Sequence, residues 1–285
     1  MNAMMITVAS GKGGTGKTTV ATNLAVAVGE GATLLDCDVE EPNAHLFLKP
    51  DSVTKTPVTT MVPVVDPDVC VQCGACSELC QFSAITLVAG ELYTFPRMCH
   101  SCGGCVMVCP TGALSEGTRE LGELETGQCN EIELISGRLK VGEAMSPPLI
   151  ERVKEAAEDR ELVIVDAPPG TSCPVISAMS GTQYVVLVTE PTPFGLHDLK
   201  LAVEAVRVLG MPFGIVINRA DAGDDRVVRY AREEGIEILL SIPYSRKVAE
   251  YYARGRLLVE AMPEMAEAFA GMVDKIRSVA EGRRP

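Results

Sequence analysis

The sequence predicts an α/β chain whose parallel sheet, covered by helices on both faces, is interrupted by a small cysteine-rich α+β insert. Three observations carry that prediction. Short continuous apolar runs alternate with amphipathic stretches, and strands without a polar face belong to parallel sheets buried on both sides. A glycine-rich loop follows the first apolar run and opens the first helical stretch. Eight of the eleven cysteines lie between Cys70 and Cys109, too dense a group for an ordinary core.

Met5 to Ala9 is the first strand, Thr18 to Gly29 the first helix and Ala32 to Asp36 the second strand. Pro147-Pro148 opens a helix carrying Leu149, Ile150, Val153 and Ala156-Ala157, since proline is tolerated in a first turn. Leu162 to Val165 is a strand ending at Asp166, and Tyr184–Val188, Phe213–Ile217 and Glu237–Leu240 are others. Helices are expected at Leu196–Leu209 and Asp225–Glu234. Over Pro263–Glu281, Met265, Phe269, Met272 and Ile276 recur at helical spacing among mixed charges, the pattern of a packing helix rather than a basic lipid-binding one. The turn-rich Lys49-Pro50-Asp51 and Gly117-Thr118 divide the chain into a body of residues 1–50 and 119–285 and an insert of 51–118. A length of 285 residues accommodates both.

With 38 acidic against 25 basic residues the formal net charge is −13. That balance argues against a nucleic-acid or anionic-membrane partner, because both reward clustered Lys and Arg. No uncharged run approaches the ~18 residues a membrane span needs. Met1 to Ser10 lacks a basic n-region and a small-residue cleavage site, so a cytoplasmic location is expected. In a reducing compartment, regularly spaced thiols hold metal more often than they form disulfides.

Gly11-Lys12-Gly13-Gly14-Thr15-Gly16-Lys17-Thr18 fits G-x-x-x-x-G-K-[ST] between a predicted strand and a predicted helix. Glycines there let backbone N–H groups converge on phosphate oxygens, and the helix N-terminus adds its positive dipole end. Gly11, Gly13, Gly14, Thr15, Gly16, Lys17, Thr18 and Thr19 are the candidate residues for ATP or ADP. Lys17 reaches the β/γ-phosphates and the Thr18 hydroxyl ligates Mg²⁺. With Lys12, the loop resembles the deviant Walker A of the MinD/ParA/Mrp class, which includes the nitrogenase iron protein. The resemblance implies a homodimer in which Lys12 crosses to the partner's nucleotide. It extends to Leu34-Leu35-Asp36-Cys37-Asp38, implying that Asp38 positions the attacking water behind a supporting Asp36. Asp166-Ala167-Pro168-Pro169-Gly170 resembles Walker B and switch II, which places Asp166 on Mg²⁺ through water and the Gly170 N–H near the γ-phosphate. Asn218 and Pro243 match residues that read and pack on the adenine.

The cysteine stretch repeats with an offset of 29 residues: Cys70, Cys73, Cys76 and Cys80 map onto Cys99, Cys102, Cys105 and Cys109, and Gly74 maps onto Gly103. Each half reads C-x₂-C-x₂-C-x₃-C, the spacing of bacterial two-cluster ferredoxins. Structural zinc more often shows separated C-x₂-C pairs or includes His, and only His100 lies nearby. In such ferredoxins the fourth cysteine of each half serves the other cube. The resemblance therefore implies one [4Fe–4S] cluster on Cys70, Cys73, Cys76 and Cys109 and a second on Cys99, Cys102, Cys105 and Cys80. Pro110 follows the last cysteine of the second half, whereas Gln81 stands there in the first.

As a whole the chain resembles MinD-superfamily P-loop ATPases containing an inserted ferredoxin domain. That implies Mg²⁺-dependent ATP hydrolysis coupled to electron transfer, with a redox protein as partner. An Mrp-like cluster carrier serving an apo iron–sulfur acceptor is the alternative, though the paired C-x-x-C of that group near the C-terminus is absent. A MinD/ParA-like spatial regulator is a third reading, and corrinoid amidation lacks room for its glutaminase domain. Cys37 reads as a small core residue. Cys129 and Cys173 are either ordinary thiols or, in two subunits, ligands of a bridging third cluster like that of the nitrogenase iron protein.

Overall fold

The computed structural model describes residues 4–280 and Gly282. Glu281, the last residue of the expected C-terminal helix, and Met1–Ala3 of the expected leaderless start lie outside the described residues.

In chain order the body begins with β1 (Met4–Ala9), α1 (Lys17–Val28), β2 (Ala32–Asp36) and the single turn α2 (His45–Leu48). β3 (Val53–Val65) leads into the cysteine region, which holds α3 (Ala75–Leu79), β4 (Ile85–Val88), β5 (Glu91–Thr94) and α4 (Gly104–Val108). β6 (Leu114–Cys129) and β7 (Ile132–Leu139) return the chain to the body. There follow α5 (Pro147–Glu155), β8 (Leu162–Asp166), α6 (Cys173–Met179), β9 (Tyr184–Thr189), α7 (Pro193–Val208), β10 (Phe213–Asn218) and α8 (Arg226–Glu233). The chain ends with β11 (Ile238–Ile242), α9 (Arg246–Ala253), α10 (Leu258–Ala261) and α11 (Pro263–Ala280).

Nine strands form one sheet in the order β11-β10-β9-β1-β8-β2-β7-β6-β3. From β11 to β7 every pairing is parallel. The strands of that region alternate side chains between two cores, which explains their continuous apolar runs. Leu35, Val163 and Val165 join α5, α6, α7 and α8 on one face, while Leu34 and Ile164 join α1, α10 and α11 on the other. In α11, Met265, Phe269, Met272 and Ile276 all enter that second core, so its apolar stripe is a packing face.

The expected parallel sheet needs one correction. β6 runs antiparallel to β7 and β3 antiparallel to β6, so the sheet is mostly parallel with an antiparallel edge. β6 interleaves Glu, Thr and Gly with single leucines, so no continuous apolar run marks it. Residues 51–65, grouped with the insert on sequence, lie largely in β3, which pairs with β6 along its length. What stands outside the sheet is therefore the stretch from Asp66 to Ala113.

Within that stretch the sequence repeat is a structural one. Phe95 N–H donates to Ala84 C=O at 2.7 Å, and the equivalent Asp66 N–H donates to Ala113 C=O at 2.8 Å. Both halves place a non-glycine residue at positive φ two residues ahead of a positive-φ glycine: Gln72 (57°) with Gly74 (79°), and Ser101 (56°) with Gly103 (71°). β4 and β5 form a hairpin whose two central residues, Ala89 and Gly90, both have positive φ, the turn geometry that matches strand twist.

Candidate functional site

Nucleotide chemistry has one obvious home. A cavity of about 700 Å³ opens at the C-terminal edge of the parallel strands, where α/β sheets place ligands. Gly13, Gly14, Gly16, Lys17, Thr18, Thr19, Asp38, Asn218 and Pro243 all line it, as do Tyr244 and Tyr252. The loop can take its shape only with glycine at position 16. Its φ is 98°, and a Cβ there would lie 2.3 Å from the Asn218 amide nitrogen. That amide donates to Thr15 C=O at 2.8 Å, tying the end of β10 to the phosphate loop.

β2, β8 and β1 lie side by side, and their register puts Asp36 opposite Asp166. Asp36 accepts backbone hydrogen bonds from Asn43 (2.8 Å), Ala44 (2.9 Å) and Asp38 (3.2 Å). Burial nevertheless pushes its carboxyl up to about 7, with the Asp38 charge adding to the shift. Asp166 is 1% exposed, and neither of its carboxylate oxygens has a hydrogen-bond partner. Burial first and the Asp36 charge second raise it well above the ordinary carboxylate range, while Thr18 and Lys17 pull the other way. Asp38 is also raised, by burial, and is held back by Lys17. A buried carboxylate without a donor, beside a threonine hydroxyl and a triphosphate-sized cavity, suits a hydrated divalent cation.

Gly170 and Lys12 both have partners within the chain. The Gly170 N–H donates to Ser10 C=O at 3.0 Å, joining the segment after β8 to the residue before the phosphate loop. The Lys12 ammonium is paired within its own chain, with Glu190. Glu190 is 12% exposed and takes Arg219 on its other oxygen at 3.1 Å. Sequence reasoning missed Glu190, Arg219, Tyr244 and Tyr252. Glu190 follows the buried strand β9 directly, as Asp166 ends β8 and Asn218 ends β10. A first polar residue after a buried parallel strand was the available signal.

The cysteines form a separate region. Cys70, Cys73, Cys76 and Cys109 line one small cleft, bringing three thiols of the first half to one of the second. Cys80 packs against both small apolar clusters of the region, one of Val62, Ala84 and Cys99 and the other of Cys76, Ile85 and Leu114. Burial disfavours thiolates, but N–H groups from Phe82 to Ile85 hold Cys80 below its ordinary value, and those of Thr111, Ala113 and Leu114 do the same for Cys109. The second half is tied to β3: the Ser101 hydroxyl lies 2.7 Å from Met61 C=O and 2.6 Å from the Thr60 hydroxyl. Among the described residues, no three His, Cys, Asp or Glu side chains gather tightly enough for a single metal ion. A cube spreads its ligands more widely, because each thiolate bonds a different iron.

Cys129 and Cys173 are not brought together. Cys129 is 5% exposed in the α1/α11 core, with its thiol pushed up to about 11 by burial. Cys173 is exposed at the start of α6, which packs on the other face. Cys37 is fully buried in the core beneath α5, α6, α7 and α8. No helix among the described residues is long and apolar enough to cross a membrane.

Among known proteins, an uncharacterised protein of Methanocaldococcus jannaschii is 32% identical, over 96% of each chain. An iron–sulfur cluster carrier protein of Aquifex aeolicus is 27% identical, over 98% of this chain and 68% of its own. The septum site-determining protein MinD of Pyrococcus horikoshii, solved with Mg-ADP, superposes with a TM-score of 0.63 at 20% identity over 99% of each chain, a likeness of fold. The CobQ/CobB/MinD/ParA nucleotide-binding domain matches residues 6–259. The chain belongs to that family of P-loop ATPases.

Proposed function

We propose that the protein is a Mg²⁺-dependent ATPase that works as a homodimer and couples its nucleotide state to electron transfer through two [4Fe–4S] clusters. The observation that carries the redox half is the shared cleft of Cys70, Cys73, Cys76 and Cys109, a crossed donor set that a cube takes and a plain hydrophobic module has no need of. Cys80, Cys99, Cys102 and Cys105 supply the equivalent set for a second cube. Two low-potential cubes supply one-electron chemistry.

In the nucleotide half, the loop amides from Gly13 to Thr18 bind phosphate oxygens and Lys17 neutralises the β/γ-phosphates. Thr18 and Asp166 hold the hydrated cation, and Asp38 orients the water that attacks in line. Lys12 serves the nucleotide of a second subunit. Loss of the γ-phosphate releases the Asp166–Gly170 segment, which is joined to the loop through Ser10, and reshapes the interface. The fit between carboxylate and cation is the supporting point: Asp166 is buried with no internal partner.

A second reading is favoured by the Aquifex aeolicus carrier: the clusters themselves leave the protein. Incubating iron-loaded protein with an apo-ferredoxin separates the two. Electron transfer predicts that the iron stays bound while the acceptor remains apo, and carriage predicts a reconstituted acceptor. A MinD-like membrane regulator has less support, since α11 spends its apolar face on the core.

A further inference from the structure

Lys12 is not free in this chain, and the residue that holds it was given no role by any motif. β10, β9 and β1 are consecutive in the sheet. The residues that follow their C-terminal ends therefore meet at one edge: Arg219 after β10, Glu190 after β9 and Lys12 in the loop after β1. Glu190 stands between two cations, with Lys12 on one carboxylate oxygen and Arg219 on the other. The Thr192 hydroxyl lies 3.4 Å from the oxygen that meets Lys12. Burial raises the Glu190 carboxyl, but Lys12, Arg219 and the Thr192 hydroxyl outweigh it and hold the group below its ordinary value, so the carboxylate is charged at neutral pH.

The packing fixes this geometry from both sides. A Cβ on Gly195 would lie 2.3 Å from Glu190 C=O, so the N-terminus of α7 closes directly over Glu190. A Cβ on Gly11 would lie 2.1 Å from Asp198 C=O, so the loop is pressed onto the same helix. Arg219 belongs to the wall of the nucleotide cavity, and its N–H donates to the Asn218 side chain, which in turn bonds the loop. Glu190 thus links the lysine to the cavity wall without itself lining the cavity.

We propose that Glu190 is a positioning residue, a latch that holds Lys12 within its own subunit until a second copy presents its nucleotide. The inference rests on the reading above that Lys12 acts across a dimer. An ammonium shared between a carboxylate in cis and a phosphate in trans serves one at a time, so the cis pair opposes assembly. A triphosphate outcompetes a single carboxylate through its larger charge, which makes opening of the latch depend on the partner's nucleotide.

The test uses full-length Glu190→Gln and two readouts. In dilute protein without nucleotide, amine acylation followed by mass spectrometry should find Lys12 more reactive in the variant, with the other lysines unchanged. By sedimentation in MgATP, the variant should reach half-dimer at about a tenfold lower protein concentration, within the span of ordinary coupling between sites. Damage to the fold would instead weaken assembly, so the sign of the shift distinguishes the latch from a structural role. Unchanged Lys12 reactivity overturns the latch. Raised reactivity with unchanged dimerisation overturns its regulatory role and locates the failure in the dimer reading. Failure of the parent protein to dimerise with MgATP at any concentration sinks both.

Discussion

The phosphate loop and the cysteine region sit on different kinds of foundation. The sheet that carries the loop lies between two large apolar cores, with Leu24, Ile164 and Phe269 on one side and Leu35, Val163 and Leu149 on the other. Around the cysteines the buried clusters are no larger than Val62, Ala84 and Cys99, or Cys76, Ile85 and Leu114. Segments that small do not bury enough apolar surface to offset their chain entropy, and metal is the usual substitute. The nucleotide site thus rests on a large preformed frame, whereas the cysteine region has little core of its own, and order there is what the proposed clusters would supply.

Removing iron with a chelator should expose this difference most strongly. Amide exchange across residues 66–113 is expected to become fast while β1 and β8 stay protected; equal protection in both would break the comparison. In the body, Lys17→Ala should lower ATP hydrolysis about a hundredfold or more, with iron content unchanged. Within the insert, Cys109→Ser should remove the same electron paramagnetic resonance signal as Cys70→Ser, and Cys80→Ser the other. Loss of the same signal by Cys80→Ser and Cys70→Ser would show that each half holds its own cube.

Asp166→Asn sharpens the comparison by separating stability from activity. Because the Asp166 carboxyl is raised in the folded chain, the native state keeps a proton that the unfolded state releases above roughly pH 4. Stability of the cation-free protein therefore falls as pH rises toward that raised value. Asparagine carries no such loss, so the variant should melt about 2–4 °C higher at neutral pH, with no difference at low pH and with Mg²⁺-dependent hydrolysis lost. The smallest effect is expected for Ser101→Ala, which removes the tie to Met61 and Thr60. Redox titration should find the midpoint of the Cys99–Cys102–Cys105 cluster moved and the other unmoved.

The sequence conveyed the body well wherever a strand was buried on both sides. Leu162–Asp166 and Phe213–Asn218 appear in the fold almost as their apolar runs suggest. The β3–β6–β7 ribbon was not legible, because Glu, Thr and Gly interrupt its apolar residues and leave no continuous apolar run. At the site, Lys17, Thr18, Asp38, Asn218 and Pro243 converge on one cavity, since a motif records residues that a ligand touches. Glu190 carried only the weak signal of a polar residue after a buried strand, for the complementary reason. It touches other side chains across strand ends distant in sequence, Lys12 at one and Arg219 at the other, and only strand order reveals that.

The central claim is that the nucleotide engine acts on the cysteine region within one chain. Anaerobic electron paramagnetic resonance of dithionite-reduced protein, with and without MgATP, addresses it directly. The account predicts two [4Fe–4S]⁺ signals, of which at least one changes in shape or midpoint on MgATP addition and fails to change in Lys17→Ala. Spectra and midpoints identical in both nucleotide states would contradict it.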